Sequence, residues 1–424
     1  MVRARWSYST FLTVLIIHVA SGCSDGTPRT GEWGGEVRDS VGITIVDNFG
    51  TPLWAVGEEW SLSQVLKIGS LGDDPDYAFG MVTAVVMLSD GRIVLADGAA
   101  RHLKFFLPDG SYERTVGRAG SGPQEFGDVL ELLVLPGDTL LVADLRNQRV
   151  HRIDPQGRWL GGQRVLREDG FPGRWDVDAL GMIASFLSYP YQFIGDQSPP
   201  APVVRLDSTF SVADTLLLLP PNRAYSSSAR GQEFRYHPGA PDFCLPANGG
   251  IVSGHSDQYE LRQRGDEGAL ERIIRLSRPK VAFTDEDQAV VLEQVAAVLR
   301  ERGRPPERIA QRQSQTKFES TYPAFGPLHC GPSGSIWVQR LRTWSSLGED
   351  ELVRMGIAGT PPEAPEFDVF DSDGRYMGVV RVPVRFQLHD FRGKVAYGVW
   401  LDEFDVPFVM GLRIDDLSGN GQGR

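Results

Sequence analysis

The chain has 424 residues, of which 41% are hydrophobic, and it contains 48 glycines and 28 prolines. This glycine and proline content favours short strands joined by many turns over a helical bundle. The formal net charge of −12 argues against a nucleic-acid partner, because a basic surface supplies most of the affinity for DNA or RNA.

Residues 1–22 have the layout of a secretory signal. Arg3 and Arg5 precede an apolar run at residues 11–17, which is too short to cross a membrane as a helix. Small residues then lead to Cys23, and this Ala-Ser-Gly-Cys sequence resembles a bacterial lipobox. The resemblance implies that Cys23 is lipidated and that the lipid anchors the chain to a membrane. Cleavage as an ordinary signal peptide is the alternative.

These features predict an exported, membrane-anchored protein of the cell envelope, on the periplasmic or the outer side. We expect residues 23–40 to be a flexible tether and residues 416–424 to be a disordered tail. Export also permits a disulfide between the two remaining cysteines, Cys244 and Cys330. The sequence leaves open whether they are bridged or are two buried free thiols.

A repeat of 47 residues relates the segment 85–117 to the segment 132–162. Asp97 in the first copy matches Asp144 in the second, and an alanine precedes each of them. Copies of this length, each with room for four short strands, are typical of β-propeller blades. The sequence therefore predicts an all-β fold built from four-stranded antiparallel blades.

Weaker copies of the strand pattern continue to the end of the chain, and six blades fit their number. A ring must close, so a strand at residues 43–46 or 62–68 is expected to complete the last blade. Seven blades result if residues 43–80 form a blade of their own. The expected strands of the later blades are 182–187, 203–206, 215–219, 243–245, 251–254, 259–263, 272–276, 328–330, 336–339, 368–370, 376–381, 386–390, 395–401 and 408–414.

The glycine-rich stretch GRAGSGPQEF at residues 117–126 lacks the Lys and Ser or Thr of a phosphate-binding loop, and a strand rather than a helix is predicted after it. It is expected to connect two blades. Together with SGSIWV, DVFDSDGRYMGVV and WLDEFDVPFV, it resembles bacterial six-bladed β-propeller proteins related to NHL repeats, many of them predicted lipoproteins. The resemblance covers most of residues 43–415. It implies the fold but no single activity.

One helical insertion is expected between two late blades, at residues 284–315 of a propeller spanning 41–415. Thr284 stands before three acidic residues, which is the pattern of a helix N-terminus. Apolar residues then recur at helical spacing, and Gly303 ends the pattern.

Long loops predict which face of the propeller binds a ligand. The turns between first and second strands and between third and fourth strands are short, whereas the connections on the opposite face are long. Aromatic and arginine residues in the long loops suit an unidentified protein, peptide, glycan or anionic ligand. The predicted binding residues are Tyr189, Tyr191, Arg223, Tyr225, Arg235, Tyr236, His237, Arg342 and Trp344.

The alternative function is a hydrolase or lyase with a metal in the axial channel. His255, His329 and His389 lie on or next to predicted strands and could together bind zinc, although no spacing signature supports this site. Asp97 and Asp144 could contribute to a calcium site or accept backbone hydrogen bonds in their turns. We therefore predict a binding module without a cofactor, with zinc or calcium as the alternative.

Overall fold

The computed structural model describes residues 32–415 apart from 73, 145, 166–170, 178–180, 182, 189–199, 221–224, 229–230, 237–238 and 356–361. Within these residues the chain forms six antiparallel blades around an axis, which confirms the predicted six-bladed propeller. The predicted signal peptide, Cys23 and the C-terminal tail lie outside the described residues.

The strands account for most of the regular structure. In chain order they are β1 (Gly35–Ser40), β2 (Ile43–Asn48), β3 (Ser61–Ile68), β4 (Val82–Met87), β5 (Ile93–Asp97), β6 (His102–Phe106), β7 (Tyr112–Val116), β8 (Val129–Val134), β9 (Leu140–Asp144), β10 (Arg149–Ile153), β11 (Trp159–Arg164), β12 (Phe171–Val177), β13 (Ile183–Ser188), β14 (Ala201–Leu206), β15 (Val212–Leu219), β16 (Tyr225–Ser228), β17 (Gly231–Tyr236), β18 (Pro241–Cys244), β19 (Ile251–His255), β20 (Glu260–Arg264), β21 (Leu270–Leu276), β22 (Thr316–Phe318), β23 (Leu328–Cys330), β24 (Ile336–Leu341), β25 (Glu363–Phe370), β26 (Tyr376–Arg381), β27 (Phe386–Arg392), β28 (Val395–Leu401) and β29 (Pro407–Asp415).

Five blades are built from four consecutive strands each. Blade 1 is β4–β7, blade 2 is β8–β11, blade 3 is β12–β15, blade 4 is β18–β21 and blade 5 is β23–β26. Blade 6 consists of β27, β28, β29 and, as its outer strand, β3. The first strand of each blade is the innermost strand, so β4, β8, β12, β18, β23 and β27 surround the axis.

The N-terminal strand β3 closes the ring. It pairs antiparallel with β29, so that Ile68 lies opposite Val409 and Ser61 opposite Asp415. Of the two predicted closing strands, the structure therefore uses residues 62–68. The seven-blade alternative is wrong, because the remaining N-terminal strands join an existing blade.

Strands β1 and β2 extend the outer edge of blade 4 to a six-stranded sheet, with β2 parallel to β21. Residues 35–40 were predicted to belong to the flexible tether, and the structure forms β1 there instead. Asn48 at the end of β2 fixes this position, since its fully buried amide donates to the carbonyls of Arg275 at 2.9 Å and Gly374 at 3.1 Å. Its Oδ1 accepts the N–H of Tyr376 at 2.7 Å.

The hydrophobic core is divided among the interfaces between neighbouring blades. Phe105 and Leu140 belong to the cluster between blades 1 and 2, and Val252 and Leu328 to the cluster between blades 4 and 5. Equivalent clusters lie at the other four interfaces. Each blade thus buries both of its faces, which explains the nearly continuous apolar character of its middle strands.

The helices belong to an additional layer on the face with the long loops. They are α1 (Asp285–Glu301), α2 (Pro306–Ser314) and α3 (Glu349–Met355), and they lie beside a small sheet of β16, β17 and β22. Thr284 caps α1: its hydroxyl accepts the N–H of Asp287 at 3.2 Å, and the Asp287 carboxylate accepts the N–H of Thr284 at 2.9 Å. No helix in the described part of the chain is long and apolar enough to span a membrane.

A buried ionic network joins blade 4 to blade 5. Arg278 donates two hydrogen bonds to the Asp368 carboxylate, at 2.6 and 2.8 Å, and Arg340 donates one at 2.9 Å. The hydroxyls of Tyr259 and Tyr376 donate at 2.8 and 3.1 Å. Burial opposes ionisation of Asp368, but Arg278 and Arg340 hold the pKa of its carboxyl below the usual value. Both carboxylate oxygens of Asp368 therefore accept at least two hydrogen bonds each.

We predict that Asp368→Asn destabilises the protein by about 3 kcal/mol. It leaves the partly buried guanidinium of Arg278 without its anion and removes one of the two anions that Arg340 contacts. Asp373→Asn is the matched control. The side chain of Asp373 is 65% exposed, and the substitution removes the same charge. The measurement is urea unfolding followed by circular dichroism. Equal unfolding midpoints for the two variants would contradict a stabilising role for the network.

Candidate ligand-binding channel

The six inner strands enclose an axial channel of about 1120 Å³. Every blade contributes residues to its wall. Each inner strand begins at the face with the long loops, which we call the long-loop end, and finishes at the opposite face, the short-turn end. The polar side chains along these strands therefore define what the channel can bind.

Arg174 on β12 lies near the long-loop end. Its guanidinium forms an ion pair with Asp242 on β18 and donates to the carbonyl of Leu328 at 2.9 Å. Asp242 in turn accepts the N–H of Leu328 at 2.7 Å. Burial opposes ionisation of Arg174, but Asp242, Asp176 and Glu131 raise its pKa. Arg174 is thus a permanent cation that already has an anionic partner.

Three carboxyl groups also line the channel, those of Glu131, Asp176 and Asp390. Burial raises the pKa of Glu131 to about 7, with Arg174 lowering it and Asp176 raising it. Burial also raises the pKa of Asp390 to about 6, with Asp176 adding to the shift. Asp390 lines the channel, and much of its surface is accessible there. Glu131 makes no side-chain hydrogen bond within the described residues.

Two histidines face the same channel. Burial, Arg174 and His389 lower the pKa of His329 to about 3, and burial lowers the pKa of His389 to about 4. Both imidazoles are therefore neutral at pH 7. Neither forms a side-chain hydrogen bond within the part of the chain that the structure describes. Each consequently presents one nitrogen donor and one nitrogen acceptor.

A smaller cavity of about 240 Å³ adjoins the histidines near the long-loop end, between blades 5 and 6. Burial raises the pKa of Glu363 in its wall. The lining residues are Pro327, His329, Gln339, Glu363, Gln387, Leu388 and His389.

The predicted zinc triad is not assembled. His255 does not line the channel, and its Nδ1 lies 3.2 Å from the carboxylate of Asp257. Across the described ranges, no group of three or more His, Cys, Asp or Glu side chains is placed to hold a metal ion. The structure therefore brings together His329 and His389 but leaves out the third predicted ligand.

The repeated aspartates have a structural role. Asp97 accepts the N–H groups of Gly80 at 2.8 Å and Ala100 at 3.0 Å, and Asp144 accepts those of Gly127 and Asp128 at 2.9 Å. Each carboxylate thus ties the end of a second strand to the beginning of an inner strand. Of the two roles that the sequence left open, the structure shows the backbone-acceptor role.

Two of the predicted loop-face aromatics are buried, so they were wrongly assigned to a binding surface. Tyr236 and Trp344 belong to a small apolar core with Phe283, Val291 and Val295 of the helical layer. The long loops provide enough apolar residues to build a core of their own, and this core uses the aromatic side chains that the sequence had placed in solvent.

The two predicted loop-face arginines with described side chains are partly exposed. The guanidinium of Arg342 donates two hydrogen bonds to the Glu351 carboxylate, at 2.7 and 3.3 Å. Arg235 lies 3.7 Å from the Glu319 carboxylate. The side chain of Tyr225 lies outside the described residues, as do Tyr189, Tyr191, Arg223 and His237.

Cys244 and Cys330 are joined by a disulfide. They lie on the adjacent inner strands β18 and β23 and both line the channel. The bridge therefore links blades 4 and 5 at the axis, while the Asp368 network links them further out.

Sequence reasoning missed the charged residues of the channel. Glu131 stands in the apolar run Val-Leu-Glu-Leu-Leu-Val, and a lone acid on an inner strand was the available signal. Arg174 and Asp176 lie on β12, which was not predicted as a strand. The Pro172-Gly173 pair in this strand is typical of a turn and hides it.

Comparison with known proteins shows similarity of fold only. No family model and no curated protein matches the chain. A member of the DUF4221 family from Bacteroides vulgatus matches with a TM-score of 0.52 at 13% identity, over 85% of this chain and 99% of the other. A protein from Bacteroides fragilis, provisionally named as exported, gives 0.49 at 11%, over 84% and 95%. Virginiamycin B lyase from Staphylococcus aureus gives 0.42 at 10%, over 84% and 100%.

We predict that His329→Gln makes the protein less sensitive to acid. The histidine pKa falls from an ordinary 6.5 to about 3 on folding, so the unfolded state binds the proton more tightly. Wild-type stability is therefore lost as the pH falls below 6.5, and His329 accounts for roughly 2 kcal/mol of that loss between pH 6 and pH 4.

The measurement is urea unfolding of both proteins at several pH values. Glu131 and Asp390 act in the opposite direction, since their raised pKa values favour the folded state at low pH, but they are present in both proteins. The difference between the two pH profiles isolates His329. If the unfolding free energies of the two proteins changed equally with pH, the pKa of His329 would not be lowered in the folded state.

Proposed function

We propose that this protein is an exported β-propeller that binds a small polar ligand in its axial channel. One observation carries the proposal: Glu131, His329 and His389 line a cavity of about 1120 Å³ and have no hydrogen-bonding partners within the described residues. These three side chains are half-buried and face the channel, so their hydrogen-bonding groups are accessible to a ligand. Small-molecule sites are typically concave and carry a few polar groups of this kind.

The channel has better support than the loop face. Two predicted loop-face residues, Tyr236 and Trp344, are buried, and Arg342 is engaged by Glu351. The channel, by contrast, combines depth, desolvation and unused hydrogen-bonding groups, which are typical of small-molecule sites. A protein or glycan partner on the loop face remains the competing binding function.

Export and lipid anchoring belong to the same proposal. The signal-like N-terminus and the lipobox resemblance at Cys23 support them, and so does the Cys244–Cys330 disulfide, since such bonds persist in oxidising compartments. Anchoring at Cys23 would place the propeller at the membrane surface in the cell envelope.

A hydrolase or lyase is the second candidate, and the titratable groups favour it. Two neutral imidazoles share the channel with carboxyl groups whose pKa values are about 6 and 7. Groups that titrate near the working pH are suited to general acid–base catalysis. The described residues support this proton-transfer chemistry better than the predicted three-histidine metal site.

We predict that ligand binding depends on the channel histidines. A library of small polar metabolites would be screened by thermal shift, and each hit measured by isothermal titration calorimetry. The double variant His329→Ala/His389→Ala should bind hits about tenfold or more weakly, because buried hydrogen bonds are lost. The double variant Arg235→Ala/Arg342→Ala is the control on the loop face. Weakening in the control alone would move the site to the loops.

We also predict that the purified chain holds only substoichiometric zinc and calcium. Metal sites in proteins need several converging ligands, and the described residues provide no group of three. The measurement is elemental analysis after purification without chelator. Close to one zinc or calcium atom per chain, lost in His329→Ala or His389→Ala, would favour the metal-dependent enzyme instead.

A further inference from the structure

We propose that the axial channel takes a ligand that carries an ammonium group, an inference that rests on the channel function proposed above. The channel wall has an excess of negative charge and of hydrogen-bond acceptors. A donor-rich cation is the ligand chemistry that complements both.

Away from the hairpins at the short-turn end, Arg174 is the one cation among the described residues that line the channel. It lies near the long-loop end, and its charge is already engaged by Asp242. Arg392 and Lys394 belong to the hairpin at the short-turn end. The acidic residues that line the channel are Glu131, Asp138, Asp176 and Asp390.

The carboxylates differ in how many of their oxygens are already occupied. Asp176 accepts the N–H groups of Val177 at 2.8 Å and Leu245 at 3.3 Å, so it helps to hold blade 3 against blade 4. Asp390 accepts only the N–H of Phe391, at 2.7 Å through Oδ1, among the described residues. No described residue donates a hydrogen bond to Glu131, so both of its oxygens are available. Glu131 and Asp390 are therefore the acceptors that remain for a ligand.

The neutral histidines add to this set of acceptors. His329 and His389 each offer one unprotonated nitrogen in desolvated surroundings. An ammonium group brings three N–H donors and one positive charge, so it can pair with one of these carboxylates and donate its other N–H groups to water or to a neighbouring acceptor. A metal ion is a poorer fit, because it needs ligands that converge within about 2.0–2.6 Å of one point. No such group exists in the described ranges.

The charges at the two ends favour one entrance. At the short-turn end the two cations Arg392 and Lys394 outnumber Asp138 and repel a cation, whereas Arg174 at the long-loop end is neutralised by Asp242. We therefore expect the ligand to enter from the long-loop end and to reach Glu131 and Asp390 with its ammonium group foremost.

Binding should strengthen as the pH rises. The pKa values of Glu131 and Asp390 are about 7 and 6, so both groups are largely neutral at pH 5 and largely ionised at pH 8. Asp176 adds negative charge beside them, while Arg174 and Arg392 oppose it. The histidines stay neutral over this range and contribute no pH dependence of their own.

The test is calorimetric titration of the intact chain with four matched probes: hexamethylenediamine, aminohexanol, hexanediol and adipate. We expect the two amines to bind at pH 8, and the diol and the diacid not to bind. At pH 5 amine affinity should fall about tenfold or more. Glu131→Gln and Asp390→Asn should each weaken amine binding at pH 8 by a similar factor. Glu267→Gln, on an exposed hairpin, is the charge-matched control and should change nothing.

Several results would overturn the inference. Binding of hexanediol or adipate as strong as that of the amines would mean that charge does not select the ligand. Amine binding that is unchanged in Glu131→Gln and Asp390→Asn would place the amine elsewhere, and no amine binding at millimolar concentration would refute the inference directly. The proposed channel function fails separately, if no ligand from the metabolite library depends on His329 and His389.

Discussion

Closure of the ring by β3 is the constraint on which the rest of the structure depends. Each blade buries its two faces against its neighbours, so a missing or displaced blade would expose two apolar faces at once. Pairing of Ile68 with Val409 joins strands from opposite ends of the chain, and the last blade lacks its outer strand without this pairing. The entropic cost of closing a loop between such distant segments grows only slowly with loop length, so a long chain can form this pairing at a modest cost in free energy.

The closed ring also creates the chemistry of the channel. Glu131, His329 and Asp390 lie on three different blades, and only closure brings their inner strands around one axis. The same closure reduces their contact with solvent, and burial is the first cause of each of their pKa shifts. The site therefore depends on the closed fold. Conditions that loosen a blade interface should also return the pKa values of these groups to their ordinary range.

The sequence predicted the blades well because their signals are local. The 47-residue offset, the Asp-Gly turns and the alternation of apolar residues each depend on a few neighbouring positions. Features that depend on distant contacts were missed or left open. The pairing of β2 with β21 rests on the burial of Asn48 between blades 4 and 5, and the Pro172-Gly173 pair hid β12 and with it Arg174. Tyr236 and Trp344 were misassigned because three separate loops form their common core.

The contrast between the buried Asp368 network and the polar residues of the channel supports a binding role for the channel. At the interface of blades 4 and 5, Asp368 receives hydrogen bonds from two arginines and two tyrosines. The fold is thus able to satisfy a buried carboxylate completely. In the channel, Glu131 and the imidazole of His329 receive no such partners from the described residues. Because the fold makes no hydrogen bond to these groups and leaves them facing a cavity, their presence is better explained by a ligand than by the needs of the fold.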